Sequence, residues 1–144
     1  MFLTILTPTY NRANRLFSLF DSLESQSIKD FEWLVVDDGS SDNTQNLIST
    51  FAKKSSFPIR YIKKENGGKH TALNTGIRLI NSELTFIVDS DDYLVPYAVE
   101  FCLKYHLLYR KKSGICGYSY LRLFPNGKVN GRMFAKDEWI ASFD

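Results

Sequence analysis

Three aspartates within four residues are the strongest chemical signal in this chain. Asp89, Asp91 and Asp92 directly follow the apolar segment 84–88, so the carboxylates are predicted to stand where a buried strand reaches the surface. Carboxylate oxygens are ligands that Mg²⁺ and Mn²⁺ prefer, and Mg²⁺ is usually held by one or two carboxylates together with the phosphates of its substrate. The cluster therefore indicates a divalent metal and a phosphate-bearing ligand.

Polar clusters also follow three other predicted strands. They are Pro8, Thr9, Tyr10, Asn11 and Arg12 after the first strand, Asp37 and Asp38 after the second, and Glu65, Asn66, Gly67, Gly68 and Lys69 after the third. In parallel sheets, ligands bind beyond the carboxyl ends of the strands. We therefore expect the four loops to converge on one crevice.

Several of these clusters also have a purely structural interpretation. Asp37 and Asp38 could form only a turn and the start of a helix. The segment 66–69 could be only a flexible loop, although glycines at a helix start also expose backbone amides that suit an anion. Tyr10 could be a half-buried core aromatic or could stack on a flat base. The residues alone leave these alternatives open.

Hydrophobic periodicity predicts alternating strands and helices. The predicted strands cover 3–7, 32–36, 59–62, 84–88 and 115–124, and the helices cover 13–25, the region of Leu47, Ile48 and Phe51, the region of Leu73, Ile77 and Ile80, and 96–109. Asn11 or Asn14 is the candidate cap of the first helix, and Ala72 and Gly76 would allow close packing of the third. The alternation indicates an α/β sandwich with a largely parallel sheet.

Two further features are assigned structural roles. Tyr97, Phe101, Tyr105 and Tyr109 recur every four residues along the last predicted helix, which predicts a packing face in the core rather than a sugar platform. His70 has no second histidine nearby, so we expect a capping or surface residue and not a metal ligand.

The segment that ends in Lys69 also lacks the glycine and Ser or Thr positions of a Walker loop, which argues against a P-loop NTPase.

Composition narrows the class of protein. A chain of 144 residues with 44% hydrophobic content can bury one core, which predicts a single globular domain. A net charge of +2 without a basic run argues against a nucleic-acid partner. Cys102 and Cys116 do not form a close metal-binding pair, so a reducing cytosol is expected. No leader is evident, and no apolar run approaches the roughly 20 residues that span a bilayer, so we expect a soluble chain.

Four segments form an ordered set of motifs. They are Pro8-Thr9-Tyr10-Asn11-Arg12, Val35-Val36-Asp37-Asp38-Gly39-Ser40-Ser41-Asp42, Glu65-Asn66-Gly67-Gly68 and Asp89-Ser90-Asp91. In order and spacing this set resembles the signatures of the family 2 glycosyltransferases, from the first residues to about Pro96. The resemblance implies the GT-A fold, a Rossmann-like α/β/α sandwich. It also implies transfer of a sugar, with inversion, from a nucleoside-diphosphate donor, expected to be a UDP-sugar, to an acceptor hydroxyl.

The same resemblance implies roles for individual residues. The implied nucleotide-sugar-binding residues are Pro8, Thr9, Tyr10, Arg12, Asp38, Asn66, Lys69, Asp89, Ser90 and Asp91. Thr9 and Tyr10 would line the base pocket and Asp38 would accept a hydrogen bond from the base, while Arg12 or Lys69 would approach the base or the diphosphate. In the DxD motif, Asp91 would coordinate Mg²⁺ or Mn²⁺, and Asp89 would touch the ribose or a metal-bound water. Asp92 would face solvent or orient that shell.

An inverting transfer also needs a carboxylate base on the acceptor side. Asp137 and Glu138 form the only late acidic pair, but they lie earlier than the resemblance places that base, so no catalytic base is assigned in this chain. We therefore expect the donor-binding part of a longer enzyme. Residues 1–112 would form its donor-binding core, and 113–144 would begin an incomplete acceptor-side part.

Two other classes stay open. A nucleotidyltransferase also joins an α/β sheet to metal-binding carboxylates, but the loop after the first strand lacks the expected glycines and basic residues. A scaffolding module that only binds nucleotide sugar is the non-enzymatic alternative. The resemblance further implies a glycan or lipid-linked acceptor and a role in polysaccharide biosynthesis of the cell envelope. The expected location is the cytoplasm, with peripheral membrane association if the acceptor is lipid-linked.

Overall fold

Four strands form a parallel sheet in the computed structural model, which describes residues 1–115, 117–120 and 122–131. The strands are β1 (Leu3–Thr9), β2 (Phe31–Asp37), β3 (Ile59–Lys63) and β4 (Leu84–Ile87). Their order across the sheet is β3-β2-β1-β4, and each neighbouring pair is parallel. The parallel sheet that the sequence predicts is confirmed.

Helices follow all four strands. They are α1 (Leu16–Glu24), α2 (Thr44–Lys54), α3 (Lys69–Ile77) and α4 (Ala98–Tyr109). The prediction that Asn11 or Asn14 caps α1 is wrong, because Arg15 precedes the helix and no described side chain caps it. Within the described part of the chain, no helix has the length and apolar content needed to cross a membrane.

The two faces of the sheet are covered by different helices. Trp33 of β2 stacks beside Phe20 of α1 and Phe51 of α2. Val36 of the same strand belongs to a buried cluster that includes Ala72 of α3. Because residues of odd and even number point to opposite faces of a strand, the sheet lies between two helical layers. This is the predicted α/β/α arrangement.

Helix α3 lies close against the sheet at Gly76. A Cβ added to Gly76 would lie 2.4 Å from Leu6 Cδ1 and 3.2 Å from Val36 Cγ2, and Ala72 on the same face is fully buried. The close packing predicted for Ala72 and Gly76 is confirmed. It brings the first residue of α3, Lys69, to the carboxyl-terminal edge of the sheet.

The predicted aromatic packing face on α4 is wrong. Tyr97 and Phe101 are exposed, and neighbouring rings of the row contact one another with centroids 5.2 to 6.4 Å apart. The buried residues of α4 are Val99 and Cys102, and the Val99 amide donates to Gln26 Oε1 at 3.1 Å. A spacing of four places residues on one side of a helix, but it does not determine which side faces the core.

The chain divides into the units Met1–Tyr109 and Arg110–Asp144. In the described part of the second unit, β5 (Arg122–Leu123) pairs antiparallel with β6 (Val129–Asn130) around a turn at 125–127. The predicted strand over 115–124 is therefore too long, because among the described residues of that segment only Arg122 and Leu123 pair with β6. The single-domain assignment, divided at 112, stays a prediction.

Candidate functional site

The loops after the four parallel strands meet around one cleft of about 530 Å³. Its walls are formed by Pro8, Thr9, Tyr10, Arg12, Asp38, Asn66, Gly68, Lys69, Ala72, Asp89, Ser90 and Asp91. The structure thus brings together all ten residues predicted to bind nucleotide sugar. Gly68 and Ala72 are additional wall residues, and Gly68 directly precedes the predicted residue Lys69. The volume lies within the range of about 300–1,000 Å³ that is typical of small-molecule sites.

Both outer carboxylates of the segment Asp89-Ser90-Asp91 contact a cation from another loop. Arg12 Nη1 donates to Asp91 Oδ2 at 2.7 Å, and Lys69 Nζ lies 2.7 Å from Asp89 Oδ1. The side chains of Arg12 and Asp91 are 48% and 49% exposed, so this pair contributes about 0–1 kcal/mol to stability. The cleft therefore presents two positive and two negative groups that a ligand could engage without a large penalty.

The carboxylates fit a divalent metal only if a ligand completes the coordination shell. Across the described residues, no group of three or more His, Cys, Asp and Glu side chains could hold a metal ion. Asp89 and Asp91 supply the hard oxygen ligands that Mg²⁺ and Mn²⁺ prefer, and one or two carboxylates suffice when substrate phosphates supply other ligands. Asp92 lies outside the set of residues that line the cleft.

Asp38 is buried and organises the loop between β3 and α3. Its carboxylate accepts hydrogen bonds from Lys64 Nζ at 2.7 Å, from the Gly67 amide at 3.0 Å and from the Gly68 amide at 2.6 Å. Burial opposes ionisation, but these hydrogen bonds outweigh it and lower the pKa of Asp38 below its ordinary value. Gly68 has a φ of +92°, a backbone conformation that favours glycine.

The remaining hydrogen-bonding capacity of Asp38 is small. A carboxylate offers about four acceptor positions; three strong donors already occupy this one, and Thr71 Oγ1 is a fourth, weaker donor at 3.4 Å. Lys64, which the sequence analysis did not identify, also donates to Thr71 Oγ1 at 2.9 Å. Nothing in its sequence position distinguishes Lys64 from an ordinary surface lysine, because its role depends on contacts with residues far along the chain.

The structure separates the two members of the Asp37-Asp38 pair. Asp37 is fully buried, accepts the Ser40 amide at 2.7 Å and accepts the Tyr61 hydroxyl. Burial and the hydrogen bond to Asp37 raise the pKa of Tyr61. The structural interpretation, a turn, therefore holds for Asp37, whereas Asp38 lines the cleft.

Tyr10 and Thr9 both line the cleft, but they differ in exposure. Tyr10 is 49% exposed on the cleft wall, so the core alternative for it is wrong. Thr9 is buried at the end of β1, and its Oγ1 has no hydrogen-bond partner among the described residues. Buried polar atoms are normally paired, so a ligand in this cleft would find an unused hydroxyl there. The acidic pair Asp137 and Glu138 lies outside the described residues.

Comparison with known proteins identifies the family. Residues 4–122 match the family model described as Glycosyl transferase family 2. The chain belongs to this family. Over 127 residues it is 35% identical to a chondroitin synthase and to a hyaluronan synthase of Pasteurella multocida. In each case the match covers 88% of this chain and 13% of the synthase, so the chain spans a small part of these relatives.

Solved structures of similar proteins share the fold. TarS 1-349 of S. aureus, in complex with UDP, matches with a TM-score of 0.72 and 25% identity over 85% of this chain and 38% of that one. The mannosyltransferase PcManGT of Pyrobaculum calidifontis, in complex with GDP-Man and Mn²⁺, matches with a TM-score of 0.60 and 30% identity over 63% of this chain and 28% of that one. The GT-A fold implied by the motifs is confirmed, and the family match argues against a nucleotidyltransferase.

Proposed function

We propose that the cleft binds a nucleoside-diphosphate sugar and that this family 2 domain transfers the sugar, with inversion, to an acceptor hydroxyl. The observation that carries the proposal is the convergence of ten motif residues from four loops on one cleft. The UDP in the TarS complex and the GDP-Man in the PcManGT complex support a donor of this class. A UDP-sugar is the expected donor.

Three residues on one side of the cleft suit a nucleoside. Tyr10 exposes a flat ring on which a base can stack. The Asp38 carboxylate would accept an N–H group of the base in place of its weakest present donor, the Thr71 hydroxyl at 3.4 Å. The Thr9 hydroxyl, which is buried and has no partner among the described residues, would reach the base or the ribose after a rotation of its side chain.

The charged residues suit a diphosphate together with a divalent metal. Arg12 and Lys69 can pair with phosphate oxygens, which would release Asp91 and Asp89 from their present partners. Asp91 and Asp89 would then hold Mg²⁺ or Mn²⁺, consistent with the Mn²⁺ in the PcManGT complex. When bound, the metal supplies Lewis-acid stabilisation of the charge that develops on the departing diphosphate.

The acceptor side of the reaction needs a carboxylate base that the described residues do not identify. The proposed acceptor is a glycan or a lipid-linked saccharide. A lipid-linked acceptor would place the protein at the cytoplasmic face of a membrane.

Isothermal titration calorimetry with UDP, GDP and their sugar conjugates, with and without Mn²⁺, tests the proposed donor site. We expect binding that Mn²⁺ strengthens, with UDP compounds preferred. Absence of any binding to these compounds would overturn the donor-site assignment. Release of free sugar or transfer to a saccharide acceptor would then distinguish an enzyme from a binding module.

A further inference from the structure

Asn11 lies in the chain between two residues of the cleft wall. Tyr10 and Arg12 line the cleft, whereas Asn11 lies outside that set and has a φ of +50°. Few side chains tolerate this left-handed backbone region, and asparagine is one of them. We infer that Asn11 is a positioning residue that holds Tyr10 and Arg12 at the cleft by fastening their loop to the neighbouring one. The inference rests on the proposed function of the cleft.

Hydrogen bonds on both sides of Asn11 join the two loops. Asn11 Oδ1 accepts the Ser41 amide at 2.8 Å and the Asp42 amide at 3.3 Å, while the Asn11 amide donates to Ser40 Oγ at 2.8 Å. Two residues further along, the Ala13 amide donates to Asp42 Oδ2 at 3.0 Å. The segment that carries Arg12 is therefore attached at both of its ends.

The loop that receives these bonds is itself anchored. Asp42 Oδ1 accepts from the amide and the hydroxyl of Thr44, the first residue of α2, at 3.1 and 2.5 Å. Lys63 Nζ donates to Ser40 O at 2.7 Å from the end of β3. Asn11 thus fastens an exposed loop to a segment fixed by a helix and a strand.

The cleft depends on this attachment because its first loop carries long, exposed side chains. Arg12 reaches across to Asp91 on the loop after β4, and Tyr10 is half exposed. Without the attachment, only a fraction of molecules would hold both side chains in the binding arrangement, and apparent affinity falls in proportion to that fraction. Loss of the two hydrogen bonds to Asn11 Oδ1 changes the equilibrium between the attached and the detached loop about ten-fold, and apparent affinity falls by at most that factor.

Two substitutions separate the side chain of Asn11 from its backbone conformation. Asn11→Gly keeps the left-handed backbone but removes the acceptor, whereas Asn11→Asp keeps an acceptor at the same place. Asn14→Gly, an exposed asparagine of the same loop, is the matched control. By calorimetry we expect Asn11→Gly to weaken UDP binding by more than about three-fold and up to about ten-fold, and the other two to stay within about three-fold. Unchanged binding in Asn11→Gly, or an equal loss in Asn11→Asp, would overturn the assignment.

Amide hydrogen exchange without nucleotide gives a readout independent of binding. The Ser41 and Asp42 amides, which donate to Asn11 Oδ1, should exchange faster in Asn11→Gly and keep their protection in Asn11→Asp. If UDP affinity falls while these amides stay protected, the proposed attachment is wrong and the donor site stands. If the unmodified chain does not bind UDP, the proposed function fails and the role in nucleotide binding fails with it.

Discussion

At the scale of single residues, the cleft holds its charges in pairs. Arg12 contacts Asp91, and Lys69 contacts Asp89, across loops that are far apart in the chain. A diphosphate would compete with the carboxylates for the two cations, and a metal would compete with the cations for the carboxylates. Binding of the two ligands is therefore expected to be mutually favourable, because each releases the partners of the other.

Replacement of Arg12 tests the contribution of a cation to nucleotide binding. Arg12→Met keeps much of the side-chain volume and removes the charge, so we expect UDP affinity to fall about ten-fold, or about 1.4 kcal/mol, in low salt. The dependence of affinity on salt should also weaken, since one screened interaction is lost.

The control for this substitution is Arg78→Met, at an exposed position outside the cleft wall. It removes the same charge from the chain without removing a cleft contact. Equal losses in the two variants would show that overall charge, and not Arg12, determines the affinity for UDP.

At the scale of elements, helix α3 and its preceding loop position one wall of the cleft. Gly76 allows the helix to approach Leu6 of β1, and Asp38 fastens the loop that precedes Lys69. The first contact is apolar packing, while the second is a buried charged network. They are predicted to respond to different perturbations.

Substitution of Gly76 tests the packing. Alanine favours a helix by about 1 kcal/mol over glycine, but its Cβ would lie 2.4 Å from Leu6 Cδ1. We expect Gly76→Ala to lower the free energy of unfolding by about 1–3 kcal/mol in urea titrations, because overpacking outweighs helix propensity. Asn74→Ala, exposed on the same helix, should change it by less than about 0.5 kcal/mol. A more stable Gly76→Ala variant would contradict the close approach.

Acidification tests the network around Asp38. Its pKa in the folded chain lies below the ordinary value of 3.8, so its contribution to stability is present above that pH. This contribution is lost as the pH falls through the lower, folded pKa. Unfolding free energies measured across the acidic range should therefore decline less steeply for Asp38→Asn than for the unmodified chain. Asp21→Asn, exposed on α1, should keep the original decline, and identical curves for all three would contradict the network.

Local pattern predicted the strands, their parallel pairing and the loops at their ends, because buried strands leave continuous apolar runs followed by polar residues. It did not predict the roles of Lys64 and Asn11. Lys64 pairs with a residue 26 positions away and Asn11 with residues about 30 positions away, so neither contact leaves a local pattern. The prediction that the aromatic row on α4 packs in the core was wrong for a related reason, since periodicity alone does not tell which face of a helix is buried.

At the scale of the whole molecule, every cleft residue lies within the unit Met1–Tyr109. The chain spans 13% of the Pasteurella synthases, so the acceptor site and the catalytic base stay proposals. Donor binding is therefore the part of the proposed reaction that can be measured directly on the residues of this unit.

We propose that Asp91 and the diphosphate of a nucleotide together hold a divalent metal in the cleft. The most direct measurement is a calorimetric titration of UDP, with and without Mn²⁺, into the unmodified chain, Asp91→Ala and Asp92→Ala. We predict that Mn²⁺ strengthens UDP binding to the unmodified chain and to Asp92→Ala, because Asp92 lies outside the cleft wall. Mn²⁺ should not strengthen UDP binding to Asp91→Ala. An equal effect of Mn²⁺ in all three proteins would contradict metal binding by Asp91. No binding of UDP to the unmodified chain would contradict the proposed donor site.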